Sequence, residues 1–244
     1  MRKFYDISKK LLRLITIVLS CFLIYFICSS LFFWIGGKLG VFFAHKEIKE
    51  NYQKTEYAYV YTDRTNSEDV VRIHNLINVL SGEVKEEIEQ NWIILISETE
   101  PTGKYSDEDV LGITLDTKKV IWLSYDFSEE TFYHEIGHAV ASIQSKDMSI
   151  EFLSLYEAFK AKNLDFRNQY AISNSKEFFA SLYAHYYGRP ELLKEISEEG
   201  YDYISDFISN FNNKPTTKIS TPFIKFWNIF SGTVRTYTKT ISVK

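Results

Sequence analysis

A chain of 244 residues, 45% hydrophobic with a formal net charge of −4, can bury one ordinary core and has no basic excess of the kind that tracks a nucleic-acid backbone. No nucleic-acid partner is expected. The two cysteines, Cys21 and Cys28, share one hydrophobic segment, so the rest of the chain can form no disulfide and is not a stapled secreted miniprotein.

That segment comes first in chain order. Leu14 to Ile35 is 22 residues without a charge, enough at about 1.5 Å per residue to cross a hydrocarbon core of roughly 30 Å. We read 14–35 as a transmembrane signal anchor behind a short N-terminus, 1–13. Arg2, Lys3, Lys9, Lys10 and Arg13 precede it against Asp6 alone, whereas Lys38, Lys46 and Lys49 follow. This bias places the N-terminus in the cytoplasm and the bulk of the chain outside the cell. A cleaved signal peptide, giving a secreted protein, begins with the same charges, but Leu31 to Ile35 stays apolar where a mature terminus would turn polar.

The remainder reads as mixed α and β. Ser67 is placed to cap a helix through Val70, Ile73, Leu76, Ile77 and Leu80, with Gly82 ending it. Trp92 to Ile96 is a short β-rich run. Gly112 to Leu115 and Val120 to Leu123 make two more, joined by Asp116 to Lys119 as neighbouring antiparallel strands. Asp126 with Glu129 forms a capping box before a long apolar-periodic stretch, and from Phe127 the chain is mainly helical. The domain is expected to span 45–212. A basic segment over 213–244 follows, read either as a last packed helix with a tail or as a membrane-interfacial helix.

The helix after Phe127 carries the chemistry. In His134-Glu135-Ile136-Gly137-His138 the two histidines lie four residues apart, so both project from one helical face, as two ligands of one tetrahedral ion must. Glu135, beside them, is a carboxylate that can take a proton from a metal-activated water. Phe132, Tyr133, Ile136, Ala139 and Val140 make this helix packed on several sides. Gly137 costs about 1 kcal/mol of helix stability relative to alanine, a sign that something approaches closely there.

A catalytic ion needs a third ligand and an open position. Downstream, Asn174 or Ser175 can cap a helix whose first turn holds Glu177, the only acid on a packed face of Phe178, Leu182 and Tyr183. By itself Glu177 reads more readily as a first-turn acid facing the helix dipole than as a ligand. His74 and His185 are expected to be surface or core histidines rather than ligands, and His45 to be juxtamembrane.

Phe132 to Val140, with Tyr170, Glu177, Phe178, Phe179 and Ala180, resembles the catalytic domain shared by anthrax lethal factor and the bacterial Pro-Pro endopeptidases, which are gluzincins. The resemblance covers Thr102 to Tyr187. It implies an α+β zincin-like fold with a small mixed sheet, Glu177 as third ligand of one Zn2+ per chain, and Tyr170 as donor to the oxyanion of the tetrahedral intermediate. It implies a zinc metalloendopeptidase acting on a peptide or protein. Four residues after the glutamate ligand, lethal factor has an acid where this chain has Ser181, so support for a ligand must come from elsewhere. A peptide would lie along an edge strand, Gly112 to Leu115 or Val120 to Leu123. The alternative is a membrane-tethered binding or immunity-type module with a structural or vestigial metal site.

Overall fold

The computed structural model describes residues 2–64, 67–100, 110–144, 147, 149–161, 169–211 and 240–241. An unbroken helix, α1 (Arg2–Asn51), opens the chain, followed by β1 (Gln53–Lys54), β2 (Val60–Thr62), α2 (Ser67–Val79), α3 (Gly82–Asn91) and β3 (Ile93–Ile96). Then come β4 (Val110–Leu115), β5 (Val120–Leu123), α4 (Glu129–Gln144) and α5 (Ile150–Ala161). A 3-10 turn (Gln169–Ile172), α6 (Ser175–Gly188), α7 (Pro190–Ile196), α8 (Glu198–Ser209) and β6 (Thr240–Ile241) complete it. The architecture is α+β, with a mixed sheet and a mainly helical second half. One N-terminal helix is long and apolar enough to cross a membrane.

The sheet runs β1-β2-β3-β5-β4-β6. Strands β2, β3 and β5 are parallel, while β4 is antiparallel to both β5 and β6. Strand residues alternate between two faces. Val60, Ile94, Ile96, Ile121 and Leu123 join the helical core; Tyr61, Ile93, Leu95, Ile113, Leu115 and Trp122 form a smaller core with Ile48 near the end of α1. Burial on both faces explains why the central strands read as continuous apolar runs instead of alternating ones.

The β4–β5 hairpin forms in the expected register, pairing Gly112 with Leu123 and Leu115 with Val120. Its turn ends on Lys119 at φ 54, a left-handed conformation that disfavours a side chain. Three elements hold it there. The Lys119 carbonyl accepts from Ile93 N at 3.0 Å and His45 Nε2 at 3.2 Å, and Lys119 Nζ reaches Glu87 Oε1 at 3.0 Å.

Three local expectations need correction. Gly82 does not close α2, which ends at Val79; it opens α3, a helix whose sparse apolar residues, Val84 and Ile88, gave little periodic signal. Asp126 does not cap the metal helix. Ser128, two positions later, does, its Oγ accepting from Thr131 N at 2.9 Å, with the buried Phe127 between the two. Neither β4 nor β5 is an edge strand: β5 is internal, and Thr240 and Ile241 pair with β4 at Gly112 and Val110. The rest of the basic C-terminal segment lies outside the described residues.

Candidate metal centre

The centre is made where two helices touch. Helix α4 is buried on every side from Thr131 to Ala141, and at Gly137 it comes close against α6. A Cβ placed on Gly137 would stand 2.9 Å from Ala180 Cα and 3.0 Å from Tyr183 Cβ, so only glycine lets the two backbones meet. His134 and His138 flank this crossing on α4, and Glu177 lies one turn before Ala180 on α6. Asn174 fixes that turn, its side chain accepting from Lys176 N at 3.0 Å and Glu177 N at 3.1 Å.

The three side chains converge. His134 Nε2 and His138 Nε2 lie 3.1 Å apart, and Glu177 Oε2 is 3.1 Å from the first and 3.3 Å from the second. Ligands on a tetrahedral ion with bonds of about 2.0–2.1 Å stand roughly 3.3 Å from one another, so this triangle has the size of one tetrahedral face. The group is buried and could hold a metal ion. Among the described residues it has three members, which leaves a tetrahedral ion one position for water or substrate.

Electrostatics favour a cation at this point. Burial raises the Glu177 carboxyl, but His138 and His134 beside it outweigh burial and hold it at about 2. Burial lowers the His138 imidazole, yet the Glu177 carboxylate overcomes that and leaves it raised. These opposed shifts are one interaction seen from its two ends. A metal ion would replace the proton in the same triangle.

Glu135 is fully buried, and it belongs to the sheet as much as to its helix. Thr114 Oγ1 on β4 lies 2.7 Å from Glu135 Oε2 and 2.9 Å from the Glu135 carbonyl oxygen. Two residues earlier on the same face, Gly112 leaves room for the side chain: a Cβ there would sit 2.8 Å from Glu135 Cγ and 3.2 Å from Oε1. Neither residue was singled out for this contact from the sequence. The pattern Gly-Ile-Thr gives alternate positions to one face, but nothing local says which helix that face meets.

Tyr170 lies in the 3-10 turn ahead of α6, and its side chain is outside the described residues. Ser181 is buried, and its carbonyl accepts from His185 Nδ1 at 2.9 Å. An acid the sequence did not bring forward is Asp147, just after α4. It is buried and close enough to Lys176 and His138 to feel both; burial raises its carboxyl, and those two cations oppose the rise. The remaining histidines have structural partners. His74 accepts or donates at Nδ1 with Tyr59 Oη at 3.0 Å and stacks on Tyr57, while His45 holds the hairpin turn.

No protein-family model matches this sequence, and no curated protein matches it.

Proposed function

We propose that this chain is a membrane-anchored zinc metalloendopeptidase of the gluzincin type, with a zincin-like domain outside the cell. The observation that supports it most is the convergence of His134, His138 and Glu177 from two helices, with Glu135 near enough to His138 to act on its charge and outside the ligand triangle. Two imidazoles and one carboxylate are the ligand set of catalytic zinc in this class. Zinc held there would polarise a peptide carbonyl and acidify a water.

The chain's own groups do the rest. Glu135 accepts a proton from the attacking water and returns it to the leaving amine, which a buried carboxylate at fixed distance does well. Tyr170 is assigned as donor to the oxyanion, on the resemblance alone. An extended peptide would run along β4, whose Gly112 lies against Glu135. Among the described residues Thr240 and Ile241 occupy that edge of β4, so a substrate strand would have to take their place.

A second reading draws on burial. Every member of the group is at most 7% exposed, which also suits a structural ion in a membrane-tethered binding module. One comparison separates the two. The detergent-solubilised full chain should bind about one zinc and cleave members of a quenched-fluorescence peptide library, with activity blocked by a chelator. Glu135→Gln should keep the zinc and lose about 10²- to 10⁴-fold in rate; Glu177→Ala should lose the zinc. Proteolysis surviving in Glu135→Gln, or zinc surviving in Glu177→Ala, would remove the gluzincin assignment. A zinc-loaded protein that cleaves nothing would be the binding module.

A further inference from the structure

The Glu135 side chain is anchored by β4, 21 positions earlier in sequence. Thr114 Oγ1 carries one hydrogen and has two acceptors within reach, Oε2 at 2.7 Å and the Glu135 carbonyl at 2.9 Å. Oε2 is the nearer and, as a carboxylate oxygen, the stronger acceptor, so the hydroxyl donates there and ties the Glu135 side chain to the strand. Thr114 is 6% exposed and Glu135 fully buried, where solvent does not compete for the bond. Gly112 completes the cradle by exclusion: any side chain there would drive into Glu135 Cγ and Oε1.

We propose that Thr114 is a positioning residue for the reaction assigned to Glu135, holding one carboxylate oxygen on the strand so that the side chain keeps a single placement beside the metal triangle. The inference rests on the reading of Glu135 as general base. A base transfers a proton efficiently only from within hydrogen-bond reach, and small misplacements cost rate steeply. A glutamate left to its own three torsions would sample many placements. Packing already narrows that freedom, and Thr114 fixes one carboxylate oxygen within it without coordinating the metal. It therefore acts on turnover and leaves metal binding and substrate affinity alone.

Thr114→Val keeps the shape of the side chain and deletes the donor, whereas Thr114→Ser keeps the donor. With the fastest-cleaved library peptide, Thr114→Val should lose about 10- to 100-fold in kcat, with KM within about twofold and zinc still near one per chain. Thr114→Ser should recover most of the loss. In the Glu135→Gln background Thr114→Val should have little further effect, because there is no base left to place. If Thr114→Val does not fold, Thr114→Ala against Thr114→Ser gives the same contrast.

Wild-type kcat in Thr114→Val or Thr114→Ala would overturn the inference, and so would Thr114→Ser as slow as Thr114→Val. A parallel loss of zinc and a rise in KM would show a merely structural role and overturn it too. Full activity in Glu135→Gln would instead remove the base, and this inference with it. Loss in Glu135→Gln beside wild-type turnover in Thr114→Val would leave the base standing and the positioning role refuted.

Discussion

Helices α1 and α4 are both rich in large apolar residues, and the molecule treats them in opposite ways. In α4, Phe132, Ile136 and Val140 have no exposed surface; in α1, Phe22 and Phe32 are 69% and 77% exposed. None of the most apolar window of α1 is buried against the rest of the protein. Among its described residues the last turns dock, through Ala44, Ile48 and the His45 bond to the hairpin. Hydrophobicity alone therefore does not say what a helix packs against. In α4 the apolar residues are interleaved with Gly137 and with His134, Glu135 and His138; in α1 they run from Leu14 to Ile35 without a charge. An apolar surface of that extent in water is an association site, and a bilayer is the partner we propose.

The most severe way to break the contrast is to charge α1 at its centre. Each aspartate at mid-membrane costs about 2.5–3.5 kcal/mol. Leu23→Asp combined with Ile24→Asp should move the full chain from the membrane fraction to the soluble fraction on cell lysis, with zinc content unchanged. If the double variant still sediments with membranes, α1 is not the anchor.

A smaller effect sharpens the comparison from the side of α4. Gly137→Ala gains roughly 1 kcal/mol of helix propensity, but the added methyl meets Ala180 Cα and Tyr183 Cβ at 2.9 and 3.0 Å, and overpacking of this kind costs about 1–3 kcal/mol. With no flexible side-chain end to yield, the balance is unfavourable. Thermal melting should fall by a few degrees, and zinc should dissociate more readily as Glu177 is pushed from the histidines. Gly36→Ala and Gly40→Ala in α1 meet nothing within 4 Å and should leave the melting temperature of the domain unmoved. A Gly137→Ala protein as stable as wild type would mean that α4 and α6 do not cross so closely.

Much of the α4 end of this contrast was legible in the chain. The four-residue histidine spacing fixed one face, and the misplaced glycine signalled a close neighbour, which is Ala180. Asn174, one of two expected caps, is the one used. What could not be read was non-local. That Gly112 and Thr114 face Glu135 depends on β4 lying under α4, and no local pattern contains that. Helix α3 escaped notice because Gly82–Asn91 shows only Val84 and Ile88 to the core amid charged residues. Strand β6 was invisible because two residues carry no periodicity, and its pairing changes β4 from an expected edge to an inner strand. Asp126 and Ser128 are both residue types that cap a helix, and no local pattern chose Ser128, the one used.

The smallest expected effect concerns protons in the metal-free protein. Glu177 is held at about 2 when folded, below its unfolded value, so its contribution to stability is complete above about pH 4.5 and is lost as pH falls toward 2. His138 is raised by the Glu177 carboxylate against burial. Its contribution is complete below the ordinary histidine value of about 6.5 and is lost as pH rises through the higher folded value. Metal-free protein should thus be most stable between about pH 4.5 and 6.5, with melting temperature declining on the alkaline side. The reference is metal-free His138→Gln, which cancels titrations elsewhere in the chain. Zinc should abolish the alkaline decline, since it takes the place of the proton and prefers deprotonated imidazole, and should move the acid decline to higher pH, where protons begin to displace it. A metal-free protein that instead gains stability relative to His138→Gln between pH 6.5 and 8 would show His138 neutral without metal. Glu177 would then not be its partner, and the triangle of ligand atoms at the α4–α6 crossing would need another arrangement.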